Sequence, residues 1–181
     1  MATHLYQWGI IHDPQTNKRI KCNVPMRMAA AQRTDGSYVQ VTCGTNFTVV
    51  LDSKHRVLII GDEPKGGRLG LGDEKTIAPS LTPIKGRLPP VGYIASGPST
   101  TILLTVDRRE LWGFGKGIDS VAQCILAGDE LITHCTCGES SIIVVLAGRL
   151  IKERRFNRDG FTTDWLTVHQ LSDSNDSIRQ I

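Results

Sequence analysis

Aromatic residues are scarce in this sequence, at 6% of 181 positions, and there is no long apolar run. The longest uninterrupted apolar stretch, Ile142 to Ala147, is far shorter than the roughly 20 residues that cross a bilayer. Because no basic region followed by an apolar stretch begins the chain, we expect no secretory signal. The sequence therefore does not predict a membrane protein, and the few aromatics predict a core of Val, Ile and Leu.

Cysteine number and net charge also exclude some classes of protein. The five cysteines are odd in number and occupy apparent strand positions, which is not the pattern of a disulfide framework. We interpret them as reduced thiols in an intracellular protein, either cytoplasmic, including cytoskeletal, or nuclear. The net charge is only +3, with basic residues spread along most of the chain, which does not indicate a dedicated nucleic-acid-binding protein.

Two short motifs recur along the chain. The first places an apolar residue before glycine at intervals of 52 residues, and the second places a small residue before glycine, with an aliphatic residue seven positions after it. A period near 50 residues is typical of propeller blades or solenoid turns. The first motif comprises Trp8-Gly9, Ile60-Gly61 and Trp112-Gly113, and the second comprises Cys43-Gly44, Ser96-Gly97 and Cys137-Gly138.

Short strands separated by turns dominate the remaining pattern. Tyr38 to Cys43 alternates between apolar and polar residues, and Asp52 to His55 and Asp107 to Arg109 are typical of hairpin turns. Met26 to Gln32 alone has helical propensity, and we assign it to the inner strand region of the first blade. The sequence predicts an all-β protein with repeat units at 5–55, 56–109 and 110–149. A degenerate partial blade or basic extension follows at 150–168, and a flexible tail at 169–181.

The motif order resembles that of the regulator of chromosome condensation repeat family. In the second unit, Ile60-Gly61 precedes Gly67, Leu69, Gly70 and Gly72, which follow the order of the family's Gly-Gln-Leu-Gly-Leu-Gly loop. Cys43-Gly44 to Leu51 similarly follows its Cys-Gly-x-x-His-Thr-x-x-Leu segment. The resemblance covers roughly Leu5 to Arg149.

This sequence departs from the family pattern at several places. Phe47 replaces the usual His, Arg68 replaces Gln, and the first and third units lack the Gly-Gln-Leu-Gly loop. The resemblance implies structural roles in turns and between blades for the motif residues that the chain retains. These residues are Trp8, Gly9, Cys43, Gly44, Gly61, Gly67, Leu69, Gly70, Gly72, Gly97, Trp112, Gly113, Cys137 and Gly138.

The length of the chain is the main difficulty for this interpretation. The resemblance implies a closed ring of seven blades, whereas 181 residues at a 52-residue period supply about three and a half. An open arc exposes sheet faces and unpaired edges, which proteins generally avoid. The chain could be part of a longer one, could self-associate, or could bind a partner protein across the ends of the arc. We expect a partner protein there.

Motifs that could carry chemistry have structural interpretations here. The glycine-rich loops at 66–72 and 113–117 lack Gly-Lys-Ser/Thr at phosphate-binding spacing, so we interpret them as turns. Cys135 and Cys137, near His134 and Cys124, suggest zinc, but the spacing is not that of a paired Cys-x-x-Cys site, and packing explains Cys137. No histidine lies in a motif beside a plausible nucleophile. We therefore predict no catalytic residue, no cofactor and no metal site.

The strongest local charge feature is a basic run near the C-terminal end. Such a run usually forms a solvated surface, and the alternative is contact with an acidic protein, RNA or chromatin. The run consists of Arg149, Lys152, Arg154, Arg155 and Arg158.

These observations predict a non-catalytic protein-protein interaction module, a structural subunit of a larger assembly with loops as its contact surface. The alternative, implied by the resemblance alone, is nucleotide exchange on, or regulation of, a Ran-type small GTPase. A third hypothesis is an RNA- or chromatin-binding piece that acts through the basic run.

Overall fold

Every regular element in the described part of this computed structural model is a β-strand. The structure describes residues 4–12, 18–27, 37–62, 67–72, 76–157 and 159–171. Within those ranges, no helix is long and apolar enough to span a bilayer. The described strands form one two-stranded sheet and three four-stranded sheets.

The strands follow one another in chain order within each sheet, and all pairs are antiparallel. The two-stranded sheet contains β1 (Tyr6–His12) and β2 (Arg19–Arg27). The next sheet contains β3 (Tyr38–Gly44), β4 (Phe47–Asp52), β5 (Val57–Asp62) and β6 (Ile77–Pro83). The third contains β7 (Val91–Ser96), β8 (Thr100–Thr105), β9 (Glu110–Gly115) and β10 (Gln123–Ala127). The fourth contains β11 (Ile132–Cys137), β12 (Ser141–Leu146), β13 (Leu150–Arg155) and β14 (Leu166–Gln170).

The three full sheets pack face to face and meet along their first strands. β3 contacts β7, and β7 contacts β11, so these strands line the inner edge of an arc. The second, third and fourth strands of each sheet lie progressively further from that edge. Radially arranged four-stranded meanders are the blades of a propeller. The prediction of an all-β, incomplete propeller is confirmed.

The two-stranded sheet corresponds to the outer half of a blade. Its Trp8-Gly9 motif lies on β1, and the matching Ile60-Gly61 lies on β5, the third strand of the next sheet. β1 and β2 therefore hold the third and fourth strand positions. Among the described residues, β1 pairs with β2 alone, whereas β5 pairs with both β4 and β6.

The sheets are offset from the repeat units defined by spacing. The 56–109 unit begins at β5, inside one sheet, and ends after β8, inside the next. The 150–168 segment contains β13 and part of β14, which complete the last sheet. Residues 169–170 of the predicted tail lie in β14, and 172–181 lie outside the described residues. In the segment Met26 to Gln32, Met26 and Arg27 end β2, which holds the fourth strand position. Residues 28–32 of that segment lie outside the described residues.

The strand register corrects one interval of the first motif. Gly61 lies opposite Phe47, and its counterpart in the third sheet is Gly115, opposite Thr100; it is not Gly113. A Cβ on Gly61, at φ 153°, would overlap the carbonyl oxygen of Asn46, and one on Gly115 would overlap that of Ser99. Two residues beyond the 52-residue spacing account for the shift. Thr100 follows its counterpart Phe47 by 53 residues, and the register places one more residue in the β8–β9 turn (Leu104 opposite Leu111) than in the β4–β5 turn (Leu51 opposite Val57).

Alternating strand residues build an apolar cluster between each pair of full sheets. The cluster between the second and third sheets includes Phe47, Val49 and Leu51 of β4 with Ile94 and Leu103 of the next sheet. A similar cluster joins the third and fourth sheets. The side of the second sheet that faces the two-stranded sheet has a smaller cluster of buried residues, Val50, Leu58, Ile60 and Leu81.

Candidate interaction surfaces

Side-chain hydrogen bonds attach the inner strand of one sheet to the backbone of the next. The Gln40 side-chain amide donates to the Ile94 carbonyl at 2.8 Å and accepts from the Ile94 amide at 2.9 Å. The Ser96 amide donates to the Thr42 hydroxyl at 3.1 Å. These bonds satisfy inner-edge backbone groups of β7 that β8 does not pair, and they fix β3 against β7.

Equivalent positions on the three inner strands differ sharply in exposure. Val41, Ile94 and Cys135 lie opposite Val50, Leu103 and Val144, so they occupy one position of the repeat. Val41 is 53% exposed, whereas Ile94 and Cys135 are 1% and 5% exposed, because the preceding sheet covers each of the latter two. Val39 and Cys43 are also exposed. We call Val39, Val41 and Cys43 the uncovered face of β3.

The inner hairpins of the third and fourth sheets approach closely at paired glycines. A Cβ added to Gly97 would overlap the carbonyl oxygen of Gly138, so the backbone spacing requires glycine at Gly97. The Cys137 thiol donates to the Thr100 carbonyl at 3.7 Å across the same boundary. In the second sheet, a Cβ on Gly44 would instead overlap the Phe47 ring.

The two tryptophans predicted to have blade-motif roles lie in different surroundings. Trp8 is 66% exposed on β1. Trp112 packs against the cluster between the second and third sheets and donates from Nε1 to a Glu110 carboxylate oxygen at 2.8 Å. The register places Trp112 at the position of Leu58. Gly113 lies close to the Ile118 side chain and the Thr101 carbonyl.

The glycine-rich loop of the second sheet packs onto the third sheet. Leu69 and Leu71 are fully buried in the apolar cluster between the two sheets. Gly70 lies against the Phe114 ring, and the Gly72 amide donates to the Ser120 carbonyl at 3.0 Å. The loop that sequence analysis interpreted as a turn therefore also joins the second and third sheets.

Loops of three successive sheets line a groove on one rim of the arc. Its volume is about 430 Å³, and each loop connects the third and fourth strands of its sheet. Four charged residues of mixed sign border it: Arg68, Lys116, Asp119 and Asp159. Gly67, Gly115, Gly117 and Gly160 bring backbone to its surface. We call this the rim groove.

Cys135 is buried and Cys137 is half-buried on β11, and both thiols are held in the protonated form. Burial raises the pKa of the Cys135 thiol to about 12 and that of Cys137 to about 11. A zinc ligand is a thiolate, so this setting favours packing over coordination for the Cys135–Cys137 pair. No three His, Cys, Asp or Glu side chains within the described ranges are grouped so as to hold a metal ion.

The basic run does not form a single free patch. Lys152, Arg154 and Arg155 lie on β13, Arg149 lies in the turn before it, and Arg158 lies outside the described residues. The Arg154 guanidinium lies 3.7 Å from the Phe161 ring centroid and donates to the Thr163 and Ile125 carbonyls at 3.2 and 3.4 Å. Arg155 is 65% exposed and pairs with Glu153 at 3.2 Å. Arg154 therefore has a structural role.

Sequence analysis missed the Gln40 and Thr42 contacts. A signal was present, since both are polar residues on the alternating strand Tyr38–Gly44. Strand alternation alone does not distinguish a polar side chain that faces water from one that bonds the backbone of another sheet.

The comparisons with known proteins agree with these repeats. No protein-family model matches the chain. The human protein named "Regulator of chromosome condensation" is 33% identical over 118 residues, covering 62% of this chain and 27% of that protein. The Xenopus laevis protein of the same name is 28% identical over 118 residues, with coverages of 64% and 27%. The chain thus spans about a quarter of the length of these relatives.

Solved structures show the same fold. Human WBSCR16 superposes with a TM-score of 0.65 at 20% identity, covering 81% of this chain and 41% of that one. Yeast Prp20, crystallised bound to Kap60, gives a TM-score of 0.66 at 19% identity, covering 84% and 38%. A second Prp20p structure, from Saccharomyces cerevisiae, is described with its binding to Gsp1p and histones and gives 0.66 at 17% identity, covering 84% and 39%.

Proposed function

We propose that this chain, whose repeats resemble those of the regulator of chromosome condensation proteins, is a non-catalytic protein-interaction module in a larger intracellular assembly, cytoplasmic or nuclear. The observation that carries the proposal is the rim groove, which three successive sheets build from equivalent loops. Repeat architectures bind partners through such rows of loops.

The chemistry of the rim groove suits a polypeptide ligand. Lys116 and Asp159 place opposite charges along it, and the half-buried Gly67 and Gly160 leave part of their backbone accessible to a bound chain. The β9–β10 loop is anchored: the Thr100 hydroxyl donates to the Lys116 carbonyl at 2.8 Å, and the Gly115 amide donates to the Asp119 carbonyl at 2.8 Å. This loop therefore offers a ligand a preformed surface, which reduces the entropy cost of binding.

A second candidate is regulation of a Ran-type small GTPase. It is supported by the likeness to Prp20p, whose structure is described with its binding to Gsp1p. This chain spans 39% of that protein, so it offers only part of the corresponding surface. We therefore rank this function below the interaction module.

The rim groove is tested by reversing its charges without changing the net charge. We compare the wild type with Lys116→Glu/Asp159→Lys in affinity purification from the native source, with quantitative mass spectrometry. Specific partners should fall by about tenfold, the size expected when a few charges at an interface are mismatched. Partners retained in full by the groove variant would rule out the rim groove as the contact surface.

The matched control, Lys21→Glu/Glu130→Lys, reverses two exposed charges away from the groove and should retain the partners. Nucleotide release from a Ran-type GTPase, measured with and without the chain, separates the two candidates. Accelerated release would establish the GTPase function, whereas unchanged release together with loss of partners in the groove variant supports the interaction module.

A further inference from the structure

We propose that the uncovered end of the arc binds a β-hairpin of a partner chain, which adds two strands to the β1–β2 sheet and covers the uncovered face of β3. This inference deepens the proposed interaction function by naming the structural element of the partner at a second surface. Three features of the arc support it, and each is understood by comparing β1 or β3 with the equivalent strand of a full sheet that has a neighbour.

The first feature is the free edge of β1. In the second sheet, β5 pairs with β4 from Leu51 opposite Val57 to Phe47 opposite Gly61. β1 holds the same position as β5, and within the described ranges its only pairing is with β2. A strand equivalent to β4 would pair antiparallel with this edge and satisfy its backbone groups.

The second feature is the apolar face beside that edge. Val41 and Cys43 project where Ile94 and Ser96 do in the third sheet, and Ile94 is buried by the β3–β4 hairpin that precedes it. Val50, in the same face as Val41, is already fully buried in the small cluster against the two-stranded sheet. A hairpin over Val41 would be continuous with this cluster.

The third feature is a set of backbone groups at the inner edge. Ile94 and Ser96 use theirs to bond Gln40 and Thr42 of the preceding sheet. Val41 and Cys43 hold the same register on β3, so their amides and carbonyls point to the same side. Tyr93 and Ala95 hold the positions of Gln40 and Thr42 at the next boundary, so the β3–β7 boundary is the model here. An occupant of that kind carries an amide side chain and, two residues later, a hydroxyl.

The chain itself supplies the model for the occupant. Tyr38–Asp52 forms a hairpin in which Gln40 and Thr42 bond the next inner strand, while Phe47, Val49 and Leu51 fill the cluster between the sheets. Val91–Thr105 is a hairpin of the same length with Ile102 and Leu104 in the next cluster, but Tyr93 and Ala95 hold the positions of Gln40 and Thr42. The partner hairpin should therefore have this length and a second strand with alternating apolar residues, and Tyr38–Asp52 is the model for its polar inner strand.

The experiment uses the full chain and a synthetic peptide of residues 38–52 carrying Cys43→Ser as the probe. Maleimide labelling of each cysteine in the protein is followed by peptide mass mapping. Cys43 lies on the uncovered face, and Cys124, exposed on the outer strand β10, reports labelling away from it. Saturating peptide should slow Cys43 labelling by about tenfold, as for a site about 90% occupied, and leave Cys124 unchanged.

Variants distinguish specific docking of the peptide on β3 from nonspecific protection of Cys43 against maleimide. Val41→Asp places a charge on the proposed contact and should weaken peptide protection by about tenfold or more. Val106→Asp changes an equally exposed valine in the β8–β9 turn and should leave protection intact. A peptide with Gln40→Leu should also protect less, because it lacks the amide.

Two results would overturn the proposal: Cys43 labelling unchanged at saturating peptide, or equal protection of wild type and Val41→Asp. Either would leave the rim groove untouched, because the groove variants report on different residues and on native partners. Conversely, loss of the groove function would not alter Cys43 protection by the peptide.

Discussion

Val41 and Ile94 hold the same position in two successive sheets, yet one side chain is exposed and the other is buried. Around Ile94, the preceding sheet supplies apolar side chains and two hydrogen bonds from Gln40, and the residue is fully buried. Around Val41, the same strand position and a similar side chain face outward. Since Val41 and Ile94 are both aliphatic and hold the same register position, the difference comes from the neighbouring sheet. Interfaces between sheets, more than individual strands, therefore hold this arc together.

The largest expected difference in the free energy of unfolding is between variants that carry a charge at Ile94 or at Val41. Ile94→Asp buries a carboxylate between two sheets and should destabilise the protein by about 4 kcal/mol or more. Val41→Asp should change the free energy of unfolding by no more than about 0.5 kcal/mol, because the side chain is half exposed. Urea unfolding of both variants measures the difference, and equal losses would show that Val41 is covered in solution.

The paired glycines give the next largest effect. Gly97→Ala would force its methyl group into the Gly138 carbonyl, and we expect a loss of about 1–3 kcal/mol as the third and fourth sheets move apart. Gly128→Ala is the control, since a Cβ there meets no atom within 4 Å. If both variants had the same melting temperature, the close approach of the two hairpins would not exist in solution.

Removing the Gln40 amide tests the polar part of the covered interface. Gln40→Leu leaves the buried Ile94 amide and carbonyl without these partners and should cost about 1–3 kcal/mol. Gln123→Leu, on the exposed outer strand β10, should be nearly neutral. Hydrogen exchange of the Ile94 amide should accelerate in the first variant alone. Unchanged exchange there would contradict a role for Gln40.

The smallest effect at neutral pH comes from the thiols. Cys135 and Cys137 have pKa values raised by burial to about 12 and about 11, so the folded state keeps protons that the unfolded state releases above about pH 9. Stability should therefore be constant up to that pH and fall as the pH rises toward 11. A Cys135→Ala/Cys137→Ala variant should show a shallower alkaline loss in urea titrations. Parallel curves for the two proteins would argue against buried thiols.

The sequence predicted the fold well because strand periodicity is local. Alternation in Tyr38–Gly44 and the glycine-marked turns were enough to indicate short strands repeated about every 50 residues. The sequence also indicated the units of the repeat, but their phase relative to the sheets required the pairing of β4 with β5 and of β8 with β9. One extra residue in the β8–β9 turn, and another between Phe47 and its counterpart Thr100, together moved the motif from Gly113 to Gly115.

The candidate surfaces were less predictable. The rim groove combines residues from three loops that are distant in sequence, so spacing did not bring Arg68, Lys116 and Asp159 together. Arg154 counted as part of a basic run, although its guanidinium packs on Phe161 and donates to backbone carbonyls. Charge patterning records which residues are ionised and does not record what they contact.

Strand identity, the all-β class and the repeat followed from the chain alone, because they depend on side-chain alternation and turn chemistry over a few residues. Tertiary structure alone decided that Ile94 is buried while Val41 is exposed, that Gln40 bonds a neighbouring backbone, and that Cys135 keeps its proton. Each of these depends on whether another sheet packs against the strand, and that packing joins residues distant in sequence, such as Gln40 and Ile94, which are 54 positions apart.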